Sequence, residues 1–328
     1  MTKFDFLGLC SEVEKLGGKS VAIFIHERAD GDALGSAIGF SEIISALGGK
    51  AKICSPDGIP ERLDFLTCET EEPQTGDVCV SVDLPSREQF GRYEEYADKV
   101  VLKIDHHANG EDYADGYVDG TAASAGEIIY SVAQELNVRG RISDLPTRFY
   151  EAIYTAVSSD TGCFKFSNVT PKTHMIAGEI ISRGIDSAEI NRQLFDSHTM
   201  GEINAAKLAY SALHTYSDGK IAVISFTAEM QKQSGVGERD LGAVIDIPRG
   251  IKGVLVAAVI KQRAGDDGVF RVSLRSNIDF DVSVVAAKFG GGGHKRAAGT
   301  SVIADSAENA EKIIVDAIEA ELVNQRIL

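Results

Sequence analysis

The stretch Val100-Val101-Leu102-Lys103-Ile104-Asp105-His106-His107 decides the fold. Residues 100–104 form an apolar run that reads as a buried strand. Three titratable side chains at the end of such a strand point into the mouth of an α/β sheet, where ligands bind. A single His there is usually structural. An Asp followed by two His asks for partners elsewhere in the chain.

The partners lie at similar places. His26 ends the apolar run 21–25, and Asp30-Gly31-Asp32 follows in the next loop. Asp83 ends the run 78–82, and Asp160 ends the run 156–159. Any one of these alone reads as a cap or turn residue. Their recurrence at the C-terminal ends of apolar segments reads as a metal site.

Around these residues, helical and extended patterns alternate, which predicts an α/β fold. The expectation is an N-terminal, mostly parallel sheet with flanking helices, joined to a smaller α/β C-terminal domain that binds substrate. The boundaries fall at 1–185 for the catalytic domain, 186–215 for a helical connector and 216–328 for the substrate domain. A helix over 4–17 stops at Gly17-Gly18. Strands follow at 20–25, 51–54, 77–83 and 99–105, with 86–97 long enough for a helical crossover. The helix after Asp32 is rich in small residues and is expected to pack closely on the sheet. Thr121 is expected to cap a helix to 136. Pro146 starts the next helix, which runs to Asp160, and Thr170-Pro171 opens another. In the second half, 221–226, 254–260 and 269–274 read as strands. The last two are joined around Gly265-Asp266-Asp267-Gly268 as a hairpin. An acidic helix spans 306–323.

With 328 residues, 44% of them hydrophobic and 25% charged, the chain has the composition of a soluble globular protein. Its net charge of −16 argues against binding polyanions over the whole surface. Five Cys, at 10, 54, 68, 79 and 163, form no C-x-x-C pair, and Cys79 reads as a core residue. A reducing compartment fits, and neither a signal peptide nor a membrane-length apolar run is present. A cytoplasmic enzyme is the expectation.

His26, Asp30, Asp32, Asp83, His106 and Asp160 supply four carboxylates and two imidazoles, more than one divalent ion needs. Two ions with one carboxylate bridging would use them all. Carboxylates alone suit Mg²⁺, and imidazole moves the preference toward Mn²⁺ or other transition metals. Paired ions suit phosphoryl chemistry, and His107 is left to contact the phosphate or donate a proton to the leaving oxygen.

These motifs carry a resemblance. His26-x-x-x-Asp30-Gly-Asp32-Ala-Leu-Gly-Ser, Asp83, Asp105-His106-His107 and Asp160-Thr-Gly resemble the four motifs of the DHH phosphoesterase superfamily. That superfamily includes RecJ-type exonucleases, family II pyrophosphatases and cyclic dinucleotide phosphodiesterases. The second half, with Arg275-Ser276 and the Gly-Gly-Gly-His of 291–294, resembles the DHH-associated C-terminal domain. Two-domain size and Phe164-x-Phe-Ser-Asn-x-Thr-x-x-Thr-His174 look most like the bacterial nanoRNase/pAp phosphatase branch. The resemblance implies that His26 and Asp30 hold one Mn²⁺, that Asp32, His106 and Asp160 hold the other, and that Asp83 bridges. It further implies that His107 faces the substrate phosphate while Asp105 orients the neighbouring imidazoles. Mg²⁺ or Co²⁺ would be substitute ions.

Residues 216–300 hold twelve Lys/Arg against nine Asp/Glu, so a local anion site fits there. Gly290 to Gly293 would let backbone N–H groups approach an anion as a nest. Arg275, His294 and Arg296, with Ser276, Gly291, Gly292 and Gly293, form the expected substrate clamp. Lys261 and Arg263 read either as part of that clamp or as decoration of a hairpin. Phe164, Phe166 and Phe289 are candidates to stack on a base, with core packing expected for at least two. A clamp gripping a terminal phosphate measures length from the metals, which favours short RNA, pAp (3′-phosphoadenosine 5′-phosphate) or dinucleotides over long duplexes. The expected activity removes mononucleotides from very short RNA and dephosphorylates pAp. A cyclic or linear dinucleotide phosphodiesterase is the alternative, ahead of a silent nucleotide-binding regulator and a pyrophosphatase. A homodimer is compatible with the sequence, and a membrane partner is not expected.

Overall fold

The structure is a computed structural model that describes residues 3–237, 241, 244–263, 265 and 268–327, His294 through its backbone only. It divides into two units, Met1–Ser197 and His198–Leu328. The division falls inside the stretch 186–215. Ile190 is buried in the core of the first unit, whereas Ala205 and Ala209 are buried in the second.

The first unit opens with α1 (Phe6–Glu14), whose N-terminus is capped by the Asp5 carboxylate accepting from Gly8 N–H. Then come β1 (Ser20–Phe24), α2 (Gly31–Ala46), β2 (Lys50–Cys54), β3 (Val78–Val82), β4 (Val100–Asp105) and β5 (Gly116–Val118). Next are α3 (Ala125–Val138), α4 (Thr147–Asp160), α5 (Pro171–Ser182) and the short α6 (Ser187–Asn191). The five strands are all parallel, in the order β2-β1-β3-β4-β5. Val21 and Ile23 of β1 enter the core beneath the α-helices, while Ala22 and Phe24 pack on the other face with Phe90 and Tyr93. Both faces are therefore covered, which is why these strands read as continuous apolar runs. The chain leaves β1 in one direction to β2 and then returns past β1 to β3. This reversal opens a crevice at the C-terminal ends of β1 and β3. His26 follows β1 and Asp83 follows β3.

Three elements differ from expectation. The crossover is not an α-helix: Glu88–Lys99 is a pair of 3₁₀ segments broken at Gly91, where φ is 53°. Thr121 is not the cap of α3. Its hydroxyl donates to Asp119, and Ser124 caps the helix by accepting from Glu127 N–H. The small residues of α2 face α4 more than the sheet. A Cβ on Gly35 would lie 2.4 Å from the Ala152 carbonyl oxygen, and one on Gly39 would lie 2.5 Å from Ile153 Cδ1. The Gly31, Gly35, Gly39 stripe thus lets two helix backbones touch. Those helices carry Asp32 and Asp160.

The second unit contains α7 (Met200–Ser211), β6 (Leu213–Tyr216), β7 (Ile221–Phe226), α8 (Ala228–Ser234), α9 (Asp246–Arg249), β8 (Val256–Gln262) and β9 (Val269–Ser276). It closes with α10 (Val282–Ala287), β10 (Gly292–His294), β11 (Ala297–Ile303) and α11 (Ala307–Asn324). Its sheet has the order β10-β11-β9-β8-β7-β6, parallel only between β7 and β8. The β8–β9 pair is antiparallel, as a hairpin requires, although Ala264, Asp266 and Asp267 lie outside the described residues. Buried Glu311 of α11 accepts hydrogen bonds from His214 Nδ1 (2.8 Å), Tyr216 Oη (2.6 Å) and Ser225 Oγ (2.5 Å), fastening that helix to β6 and β7. All five cysteines are free thiols, and Cys79 is in the core. Among the described residues no helix is long and apolar enough to cross a membrane.

Candidate metal centre

The crevice at the ends of β1, β3 and β4 collects all six metal-ligand candidates. Their ligand atoms form overlapping groups: His26, Asp30 and Asp83; Asp32, His106 and Asp160; and Asp83, His106 and His107. Asp83 belongs to two of these groups and links the first to the histidines of the third. Its Oδ2 lies 3.6 Å from His26 Nε2, and its Oδ1 lies 3.5 Å from His106 Nε2 and 3.4 Å from His107 Nδ1. Asp160 is 3.2 Å and Asp32 is 3.6 Å from His106 Nε2. His26 Nε2 is 3.8 Å from Asp30.

Local structure fixes each side chain. The Asp30 carboxylate caps α2 by accepting from the N–H groups of Asp32 and Ala33, both at 3.0 Å. Asp32 lies at the N-terminus of α3 and accepts from Ala125 N–H (2.7 Å), Gly126 N–H (3.0 Å) and Ser36 Oγ (2.8 Å). Helix N-termini favour such anions. Asp83 adopts a left-handed backbone, φ 52°, which Asp tolerates better than most residues. The Nδ1 atoms of His26 and His106 face the carbonyls of Glu27 (2.7 Å) and Ala122 (3.4 Å). With Nδ1–H donating there, each imidazole turns Nε2 toward the carboxylates as an acceptor, the tautomer a metal ligand requires.

The second tier is a buried chain. Lys103 Nζ lies 3.1 Å from Asp105 Oδ2 and also reaches the carbonyls of Pro85 and Glu111. Asp105 Oδ1 accepts from His106 N–H, His107 N–H and His107 Nδ1 (2.8 Å). Asp105 therefore orients one imidazole, His107, and holds His106 through its backbone. Lys103 was not singled out by sequence reasoning. The available signal was its position two residues before Asp105, on the same face of β4.

Electrostatics show what the cluster lacks. Burial, reinforced by the charges of neighbouring aspartates, raises Asp32 and Asp160 well above the usual carboxylate range. Burial opposes the protonation of His26 and His107, but neighbouring carboxylates outweigh it and raise both. Burial raises Asp30 as well, but its His26 partner wins and lowers it. Asp83 Oδ1 is buried with no hydrogen-bond donor. A group of acids pushed toward protonation around an orphaned carboxylate oxygen fits a divalent cation, which supplies the missing positive charge.

The second unit places its candidates differently. Register aligns Arg275 on β9 with Ala297 on β11, and Ala297 with His294 on β10, so all three share one cross-strand row. The side chain of His294 lies outside the described residues. Arg275 is half-buried and donates to the Leu274 carbonyl. Burial, helped by nearby Arg249, lowers its pKa below the usual guanidinium value. Arg249, on α9, is a cation that sequence reasoning missed, because only the fold brings it beside Arg275. Arg296 is exposed in the β10–β11 turn. Ser276 is buried, and its hydroxyl is engaged with Ile278 as donor and acceptor. The end of the glycine run, Gly292 and Gly293, lies in the edge strand β10. Gly292 and Gly293 pair with Gly299 and Ala298, and a Cβ on Gly291 would lie 2.2 Å from the Gly299 carbonyl oxygen.

A doubly wound parallel sheet with an Asp/His cluster at its crevice, followed by a mixed-sheet unit, defines a class. Residues 20–157 match the DHH family, N-terminal domain, residues 204–324 match the DHHA1 domain, and the chain belongs to the DHH phosphoesterase family. It is 29% identical to the bifunctional oligoribonuclease and PAP phosphatase NrnA of Bacillus subtilis, over 90% of this chain and 93% of that protein. It is 28% identical to the NrnA of Thermus thermophilus, over 97% and 95%. The same fold occurs in the crystal structure of an exopolyphosphatase-related protein from Bacteroides fragilis, with a TM-score of 0.86 and 24% identity, covering 98% of both chains.

Proposed function

We propose that this protein is a Mn²⁺-dependent phosphoesterase that hydrolyses short oligoribonucleotides to mononucleotides and dephosphorylates pAp. The observation that carries this reading is the similarity over most of the chain to bifunctional oligoribonuclease and PAP phosphatases, joined to a cluster in which Asp83 faces His26 with one carboxylate oxygen and His106 with the other. His26 and Asp30 would hold one ion; Asp32, His106 and Asp160 would hold the other; Asp83 would bridge. Two divalent ions there supply Lewis-acid activation of water and of the phosphoryl oxygens. Imidazole among the ligands favours Mn²⁺ over Mg²⁺.

His107 acts on the substrate. Its Nδ1 is engaged by Asp105, whose charge is backed by Lys103, and the carboxylates around it favour its protonated form. It can therefore contact a phosphate oxygen and give a proton to the leaving oxygen. Arg275 is the clamp residue in the second unit, with Arg249 beside it and the β10–β11 hairpin in the same row. Both cations suit a second phosphate group. The metal-free protein, reloaded with Mn²⁺, should hydrolyse di- to pentaribonucleotides and pAp ahead of cyclic dinucleotides and pyrophosphate. Full activity after exhaustive metal removal, or a preference for cyclic dinucleotides, would overturn the assignment.

A further inference from the structure

Two of the phenylalanines considered for base stacking are packing residues: Phe164 lies against the core of the first unit and Phe289 against that of the second. The residue that breaks its surroundings is Lys103. Apart from Asp105, the other residues of β4 are apolar, yet the Lys103 side chain is only 3% exposed. Lysine is almost never fully buried unless it is paired. Its ionic partner is Asp105, whose Oδ2 lies 3.1 Å away and accepts no hydrogen bond. Such a pair contributes little net stability, because desolvating two charges offsets their attraction. A charge kept inside a buried strand therefore calls for a role other than stability.

The role is visible in what else the ammonium group holds. It donates to the carbonyls of Glu111 (3.1 Å) and Pro85 (3.3 Å). Pro85 is in the loop after Asp83, and Glu111 is in the loop after His107. The Pro85 carbonyl also accepts from Glu111 N–H at 2.7 Å, so the two loops meet at this point. Tyr113 closes one side, with its ring centre 4.7 Å from Lys103 Nζ. Its Oη donates to the Leu84 carbonyl (2.7 Å) and lies 2.8 Å from Ser81 Oγ. Ser81 is the register partner of Lys103 on β3. Gly110 fits against the same point: a Cβ there would lie 3.1 Å from both Lys103 Nζ and the Pro85 carbonyl oxygen.

Asp83 and His107 follow different strands, and Asp83 Oδ1 stands 3.4 Å from His107 Nδ1. The same Nδ1 lies 2.8 Å from Asp105 Oδ1. The ladder between the strands ends where Asp83 N–H donates to the Ile104 carbonyl at 2.9 Å. Past that bond, the two loops are joined through Lys103, Glu111 and Tyr113.

We propose that Lys103 is a positioning residue whose ammonium group sets Asp83 and His107 relative to one another. It holds Asp105 on one side and the loop after Asp83 on the other. This rests on the metal centre and the substrate proposed above. None of its polar partners is a metal-ligand candidate, so it acts wholly through Asp105, Pro85 and Glu111.

Lys103→Met keeps most of the side chain and removes the ammonium group. Assayed on a diribonucleotide at saturating Mn²⁺, it should lose roughly a hundredfold in kcat while KM changes little. A second readout needs no turnover. In the Mg²⁺-loaded, diamagnetic protein, the His107 Nδ1–H proton should give a downfield NMR resonance protected from exchange with water. Lys103→Met should lose that protection. A lower Tm with kcat and this resonance unchanged in the folded variant would reduce Lys103 to a structural part and overturn the proposal. Should Lys103→Met fail to fold, because it leaves the Asp105 charge buried alone, Lys103→Met/Asp105→Asn removes both charges. The double variant should fall roughly tenfold below Asp105→Asn in kcat and exchange the His107 proton faster, because Pro85 and Glu111 have lost their donor. Equal behaviour of the two would overturn the tie. If the wild type hydrolyses no nucleotide, the proposed function fails, and the imidazole resonance still decides the positioning.

Discussion

Replacing Asp83 with Asn tests the shared ligand with little disturbance of the fold. Ala is the poorer choice, because residue 83 has φ 52° and Asn tolerates that region where Ala is strained. Asn keeps the shape and removes the charge that faces His26, His106 and His107 at 3.4–3.6 Å. In the metal-free protein this relieves the repulsion that raises Asp32 and Asp160, so stability should stay within about 1 kcal/mol of wild type or increase. With metal the sign reverses. Ions present at a thousand times their dissociation constant contribute about 4 kcal/mol. A hundredfold weaker affinity subtracts about 2.7 kcal/mol of that. For a unit the size of Met1–Ser197, the metal-induced rise in Tm should shrink by roughly 5–11 °C. Thermal melts with and without Mn²⁺, paired with elemental analysis, measure both effects. A variant that keeps two ions and the full metal-induced rise in Tm would refute the bridging role.

Gly35→Ala puts a Cβ 2.4 Å from the Ala152 carbonyl oxygen and must move α2 from α4. It should cost about 1–3 kcal/mol and weaken Mn²⁺ binding, read by denaturant melts and metal titration. Asp77 accepts from Ser20 Oγ (2.6 Å), Gln74 N–H (2.7 Å) and Lys52 Nζ (2.9 Å), at the strand ends opposite the metal centre. Burial alone would raise its pKa, but these bonds outweigh it and lower it. Its stabilisation is thus complete above the ordinary Asp pKa and lost as pH falls through the lower folded value. Asp77→Ala should cost about 2–3 kcal/mol at pH 7, less at pH 3, with Mn²⁺ affinity unchanged. Arg275→Ala should leave Mn²⁺ binding intact and cost on the order of ten- to a hundred-fold in kcat/KM for pAp. Its effect on bis-p-nitrophenyl phosphate, which lacks a second phosphate, should be small. Equal losses on the two substrates would remove Arg275 from the clamp.

The parallel sheet and the ligand cluster were legible because they coincide in the chain. Apolar runs buried on both faces end in His26, Asp83 and Asp105, and a run of that kind can be read without its neighbours. Strands that depend on neighbours were not legible. Residues 297–303 begin Ala-Ala-Gly and show little alternation. They become β11 because seven residues pair with β9, and β10 follows because β11 offers it an edge. The strand character of the glycine run was hidden for the same reason. Gly291 is needed for close packing against Gly299, a contact with no trace in local sequence. Thr121 lost the cap to Ser124 because Asp119 engages its hydroxyl. Lys103 could have been found, since a lysine inside an apolar strand asks for a buried acid on the same face.

Asp30 and Asp32 each serve two masters. One caps α2, the other receives the N-terminus of α3, and both belong to the ligand cluster. His26 and His106 make no comparable contribution to a helix terminus. The two kinds of ligand should therefore age differently in a lineage that has stopped catalysing. Loss of an imidazole there leaves both helix termini capped, whereas loss of either acid also unties a helix, at about 0.5–2 kcal/mol. A retired descendant of this chain should keep its Asp-x-Asp long after its histidines have drifted, and that residue pair would be the fossil by which its ancestry is recognised.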